Sequence, residues 1–300
     1  MATDPEAFRD SQALTAQATI EQNVVFNIPR AAINFNDGFG GGATMRDNLL
    51  FVAAAGLEPA AVKGAGLRPL NPPIVCCVPL DRQNTCRESS DHGAFNSWDR
   101  LPYVTDIADG VTPSTIPAFN RVHRNFIVAN YAADGGCLDN DDGSSYYRIY
   151  RNFCVYGGHK SDFDGHSKLS YENLHVYPSV YGLKCVGELQ AFPRDGFAEG
   201  YYNNTCILPQ ANATYLRLAD GGCRLGNSSE ERSALARKQL LGNNTVYVPG
   251  GEATVSCGRK TIGTSDFLGR GYDAGTRVVG VLPSNDTIIR WARGLLEMDG

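Results

Sequence analysis

The feature that most constrains this chain is a recurring pattern, Ile-x-x-Asn followed by three mostly apolar residues. It reads Ile20-Glu-Gln-Asn23-Val-Val-Phe26, Met45-Arg-Asp-Asn48-Leu-Leu-Phe51, Val122-His-Arg-Asn125-Phe-Ile-Val128 and Ile149-Tyr-Arg-Asn152-Phe-Cys-Val155. Weaker copies follow at Asn173, Asn204 and Asn244, and successive asparagines lie 25, 77, 27, 21, 31 and 40 residues apart. A period of roughly 20–50 residues marks an array in which each unit buries its apolar face against its neighbours. Period-two alternation in Phe126/Val128, Phe153/Val155 and Leu174/Val176 puts each pair on one face of a strand. The Asn before each strand is expected at a corner, because its short amide tolerates left-handed backbone and bonds nearby peptide groups. Stacked corners let identical amides ladder. Glycine-rich turns at 38–42 and 157–158 separate the strands, and no long helical stretch precedes residue 228. The expected fold is therefore all-β, a right-handed parallel β-helix with C-terminal capping helices. Leucine-rich repeats are the competing array, but the leucine spacing they require is missing.

The gap of 77 residues has its own reading. Residues 52–83 are rich in Ala, Pro and Gly and carry neither the Asn corner nor strand alternation. Removing them joins Phe51 to Asn84, so that Asn48-Leu-Leu-Phe-Asn matches Asn23-Val-Val-Phe-Asn27, and the gap shrinks to 45, close to two repeats. Its first and last residues, Val and Gln, suit the codons at an intron's two borders. Residues 52–83 thus read as a retained intron, with a disordered loop as the alternative. The organisation expected is a truncated N-terminal remainder over 1–18, a β-helix over 19–51 and 84–283, and a cap helix over 284–300. Asn227-Ser-Ser-Glu-Glu-Arg reads as a helix start with its stop at Gly242, and Ser284 opens the final helix. Residues 254–257 and 278–281 read as strands between the two.

A formal charge of −5 argues against nucleic acid, which selects a basic face. No run of 18 apolar residues exists, so no membrane span is expected. Five Asn-x-Ser/Thr acceptor sites, Asn203, Asn212, Asn227, Asn243 and Asn285, suit an extracellular or cell-surface glycoprotein. The start, Met1-Ala-Thr-Asp-Pro, is not a signal peptide, which fits an incomplete N-terminus. Nine cysteines are then expected to be partly disulfide-bonded, although Cys154 and Cys206 also read as small buried apolar residues.

Three polar stretches interrupt the repeats: 88–100, 134–145 and 159–166. Stacking brings equivalent positions to about 4.8 Å, so acids, histidines, an Arg and a Trp are expected on one side wall. Asn96, Trp98, Asp99, His159, Asp164 and His166 are candidates for binding sugar rings and hydroxyls. Asp139, Asp141, Asp142, Asp162, His92, Lys160 and Arg100 are candidates for catalysis. Glycoside hydrolysis needs two carboxylates flanking the scissile bond. A lyase needs a base and a cation to hold an enolate. Asp139, Asp141 and Asp142 are candidates for calcium, although Asp-Asn-Asp-Asp-Gly is also an ordinary turn sequence and lacks the EF-hand glutamate. Asp99-Arg100 reads equally as a structural ion pair. The three histidines match no zinc spacing.

The segments Ile33-Asn-Phe-Asn-Asp-Gly-Phe-Gly-Gly-Gly42, Arg87 to Arg100 and Asp139 to Tyr147 resemble a family of large extracellular proteins of algae and other unicellular eukaryotes. Those proteins carry right-handed parallel β-helix repeats within the pectin-lyase-like superfamily, and the resemblance covers most of 19–51 and 84–300. It implies a fold and a polysaccharide context. Of the superfamily's polygalacturonase pattern only Asp141-Asp142 matches, and Arg148-Ile149-Tyr150 has Tyr where that pattern has Lys. The function expected is a monomeric β-helix protein with a non-catalytic glycan-binding or cell-surface structural role. A polysaccharide lyase or glycoside hydrolase is the alternative.

Overall fold

The structure, a computed structural model, describes residues 18–26, 31–36, 41–51, 92–98, 118–128, 136–161, 165–178, 184–189, 199–218, 239–258 and 260–298. The suspected insert at 52–83 lies outside the described residues. The chain is predominantly β, and its strands fall in three largely parallel sheets. The chain visits the sheets in rotation, so three consecutive strands make one tier. Tier one is Thr19–Glu21, Val24–Phe26 and Ile33–Phe35, and tier two is Thr44–Arg46, Leu49–Phe51 and Phe95–Ser97. Tier three is Asn120–His123, Phe126–Val128 and Leu138–Asn140; tier four is Ser145–Tyr150, Phe153–Val155 and His159–Ser161. Tier five is His166–Tyr171, Leu174–Val176 and Val186–Leu189; tier six is Glu199–Tyr202, Thr205–Ile207 and Thr214–Leu218. Tier seven is Gln239–Gly242, Thr245–Tyr247 and Thr254–Cys257. Each strand pairs in parallel with its counterpart in the next tier, an arrangement compatible with a β-helix. At the far end Lys260–Gly263 pairs antiparallel to Thr254–Cys257, which ends the parallel stacking of the third sheet.

The corner asparagines form one continuous ladder. Asn23 donates its backbone N–H and side-chain Nδ2 to Asn48 Oδ1, both at 3.0 Å. The same double donation runs from Asn48 to Asn125, Asn152, Asn173, Asn204 and Asn244. Asn244 then donates to Thr276 Oγ1 and to Asp273 Oδ1. Two expectations need correction. The left-handed residue is not the Asn but the one before it: Gln22, Asp47, Arg124, Arg151, Glu172, Asn203 and Asn243 all have φ between 53° and 57°. That residue bends the chain, and the Asn stays free to bond along the stack. Asn48 and Asn125 are also adjacent rungs, so the 77-residue gap spans one tier rather than two repeats or more.

The short strands of the second sheet turn their middle residue inward. Leu50, Ile127, Cys154, Cys206 and Val246 lie in the core clusters. The paired residues of the motif face the other way. Phe153, Leu174, Val176 and Ile207 pack outward against Ile288 and Ala292 of the helix Asn285–Leu295. Ser284 caps that helix by accepting from Thr287 N at 3.2 Å. Residues 239–242, read as the end of a helix, are a strand instead, because Gln239 to Gly242 continue the ladder beyond Glu199–Tyr202. A short helix at Thr264–Gly269 was not anticipated. The cysteine alternative resolves to covalent bonding, with disulfides Cys137–Cys154 and Cys185–Cys206. These point to an oxidising compartment. Among the described residues no helix is long and apolar enough to cross a membrane.

Candidate functional site

The register of the third sheet brings Asn34, Asn96, Asp139 and Lys160 into one column. Their strand neighbours Phe95, Leu138 and His159 alternate to the opposite face and are buried. Asn96, Asp139 and Lys160 are also buried, at 1%, 0% and 6% exposure. The Asn96 amide sits between Asn34 at 3.0 Å and Asp139 at 3.1 Å, with its nitrogen required on the carboxylate side. Asp139 Oδ2 accepts from Gly93 N at 3.2 Å, beside the buried His92. The Lys160 ammonium lies 3.6 Å from Asp139 Oδ1 and 3.8 Å from Asp141 Oδ1. Asp141 Oδ1 also accepts from Asp142 N at 2.9 Å in the turn that returns the chain at Ser144. The positive charge between Asp139 and Asp141, where calcium was considered, is thus that of Lys160. Among the described residues no three His, Cys, Asp or Glu side chains gather in a group able to hold a metal.

The other candidates do not join this column. His159 points into the interior, where its Nε2 meets Asn140 Oδ1 at 2.8 Å and burial drives its basicity well below the usual imidazole range. Asn140 in turn donates to Ser97 Oγ at 2.8 Å. His166 belongs to the first sheet, edge-on to Tyr146 with centroids 4.9 Å apart. Asp142 is exposed in its turn, and Trp98 is 37% exposed just after the Phe95–Ser97 strand. Asp99, Arg100, Asp162, Asp164 and Asn227 lie outside the described residues. Of the remaining acceptor sites, Asn203, Asn212 and Asn243 are exposed and Asn285 is half-buried at the start of its helix.

The outward face of the first sheet carries a second array that the sequence reading missed. His123, Tyr150, Tyr171 and Tyr202 stack ring on ring, with centroids 4.6, 5.1 and 5.3 Å apart and planes within 6° of parallel. The signal was present, since each aromatic stands two residues before a ladder Asn. Because the faces cover one another, edges and hydroxyl groups are what the column presents. Burial pushes the Tyr171 hydroxyl up to about 12, and burial, then Arg124, holds His123 down to about 4. Arg121 and Arg148 align in register two residues upstream of His123 and Tyr150. The Arg148 guanidinium lies 4.6 Å from the Phe119 ring centroid, and its Nε is buried without a hydrogen-bond partner. Arg46, Arg124 and Arg151 are neutralised by Glu21, Asp47 and Glu172, whereas Arg121 and Arg148 have no carboxylate partner among the described residues.

Comparison of the chain with protein-family models, with curated proteins and with solved structures gave no match.

Proposed function

We propose that this chain is a right-handed parallel β-helix of the pectin-lyase-like class, exported from the cell, that engages polysaccharide along one side wall without cleaving it. Parallel strands joined by crossovers within a sheet are right-handed in about 98% of cases, which supports the hand. The aromatic column carries the binding reading. Its members repeat at the spacing of the tiers, so a regular polymer laid along the stack meets the same hydroxyl edge at each step. Arg121 and Arg148 add charge that favours glycans bearing carboxylate or sulfate groups. The acid-rich column of the third sheet supports the non-catalytic part. Asp139 and Asp141 flank a buried ammonium and accept backbone hydrogen bonds, an arrangement that favours a structural role over general acid–base work.

A panel of uronate, sulfated and neutral polysaccharides tests this by calorimetry. Anionic polymers should bind, and Arg121→Ala/Arg148→Ala should weaken them at least tenfold, about 1.4 kcal/mol. Release of unsaturated ends or reducing sugar by the wild-type chain, abolished by Asp139→Asn or Asp141→Asn, would replace the binding reading with a lyase or hydrolase. Equal affinity of wild type and the double Arg variant would remove the first sheet from the site.

A further inference from the structure

A groove of about 250 Å³ runs between the corner column and the C-terminal helix, lined by Glu172, Leu174, Asn203, Thr205, Trp291 and Leu295. Its floor is apolar, and its rim holds a carboxylate, an amide and a hydroxyl, the mixture that receives a pyranose ring. Trp291 is braced from behind by Tyr247, with centroids 5.7 Å apart. Asn203 stands at a left-handed bend, φ 57°, which throws its side chain off the sheet. Its backbone N–H is taken by Gly242 O at 3.0 Å, while its side-chain amide makes no hydrogen bond among the described residues. The adjacent Asn204 amide is locked in the ladder, so only Asn203 of this pair offers a free amide. Asn203-Asn204-Thr205 is also an N-glycosylation acceptor triplet. The other described triplets are placed differently. The Asn243 amide packs where a Cβ on Gly275 would fall, Asn212 stands on an open turn, and Asn285 begins the helix.

We infer that Asn203 carries an N-linked glycan whose first N-acetylglucosamine fills this groove and rests on Trp291. The transfer uses a polyprenyl-diphosphate oligosaccharide. Its C1–O bond to diphosphate breaks, a C1–Nδ2 bond to Asn203 forms, and the amide gives up one proton. The seated sugar bridges the corner of tiers five and six to the helix, acting as a clamp. This rests on the export half of the proposed function and is independent of which polysaccharide the wall binds.

The test uses the full chain secreted from a glycosylating eukaryotic host, with site occupancy read by peptide mass spectrometry. One sample is trimmed by an endoglycosidase that leaves a single N-acetylglucosamine, and another is stripped by an amidase, which turns the Asn203 amide into a carboxylate, so each comparison is made against the unglycosylated Asn203→Asp variant. Asn203 should be occupied, the single-sugar form should keep the melting temperature of the untrimmed protein, and full removal should lower it by about 2–4 °C. Trp291→Ala should abolish the difference between the two treated forms. Glycans at Asn212 or Asn243 with Asn203 bare would overturn the inference and leave export standing. A chain secreted with no triplet occupied would overturn it as well, and a chain that is never exported would sink both. Occupancy at Asn203 with no thermal difference would overturn the clamp.

Discussion

The ladder asparagines do more than occupy corners. Asn152 Oδ1 accepts from Asn125 N and Nδ2, while its own Nδ2 donates to the carbonyls of Val122 and Tyr150 and to Asn173 Oδ1. Asn152→Ala leaves several buried groups unpaired at once. Urea unfolding should show a loss of about 2–4 kcal/mol, given about 1–3 kcal/mol for each buried orphan; a change under about 1 kcal/mol would show the ladder to be ornamental. His175 makes a different claim. It occupies the inward position between Cys154 and Cys206, fully buried and near Tyr201, and its ring nitrogens make no hydrogen bond of good geometry. Burial holds it down to about 4, with the Gly157 backbone opposing weakly. A base whose folded value lies below the unfolded 6.5 contributes stability above pH 6.5, and that stability is lost as pH falls toward 4. The loss attributable to His175 at pH 4 is about 3 kcal/mol. His175→Leu should make the stability curve shallower between pH 6.5 and 4, the remaining slope coming from His123 and His159, and an unchanged slope would assign the acid lability to those two.

At the scale of elements, the helix Asn285–Leu295 is the piece whose role the sequence concealed. Ile288 and Ala292 meet Phe153, Leu174, Val176 and Ile207, so the helix lies on the outward face of the second sheet. Ile288→Ala should cost about 2–4 kcal/mol. Ile289→Ala, one residue on and 54% exposed, should stay within about 0.5 kcal/mol in the same denaturation series. Equal effects would mean that the helix is not docked through this face. The motif made the strands and the stacking legible because each tier repeats one local text. It could not show which face of Phe153 and Val155 was covered, since an apolar pair reads the same under a helix as in a core. Nor could it reveal that Asn48 and Asn125 are neighbours, because connection length is invisible to strand pairing. Asn96, Asp139 and Lys160 fell together as stacking requires, whereas His159 was lost to the interior by a shift of one residue, which in a strand reverses the side chain.

At the scale of the molecule, the apolar core is not continuous among the described residues. One cluster runs from Phe35 to Cys154 through the early tiers, and another from Cys185 to Tyr272 through the late ones. Between them the interior is polar, with Asn140, His159, Ser161, Lys168, Ser170, His175 and Glu199 all buried. At its centre Lys168 Nζ lies 2.8 Å from Glu199 Oε1, at 1% and 0% side-chain exposure, with Ser161 Oγ 3.4 Å from the same oxygen. In an array stabilised only by nearest neighbours, such a belt is where cooperativity is weakest. Single-tryptophan variants keeping Trp98 or Trp291 report on the early block and on the helix Asn285–Leu295, which packs across tiers four to seven against Phe153, Leu174, Ile207 and Tyr247. Their urea transitions should not coincide, with the disulfides intact. The ion pair fixes how the seam responds to mutation. Glu199→Gln takes the carboxylate from beside a buried ammonium and should cost about 3–5 kcal/mol, whereas Lys168→Met with Glu199→Leu removes both charges and should recover most of that loss. Replacing the pair with apolar side chains also extends the hydrophobic contact across the seam, so in the double variant the two tryptophan transitions should draw together. Transitions that already coincide in the wild-type chain would show that the ladder, the backbone bonds and the helix laid across Phe153, Leu174 and Ile207 couple the blocks, and that the polar belt is no seam.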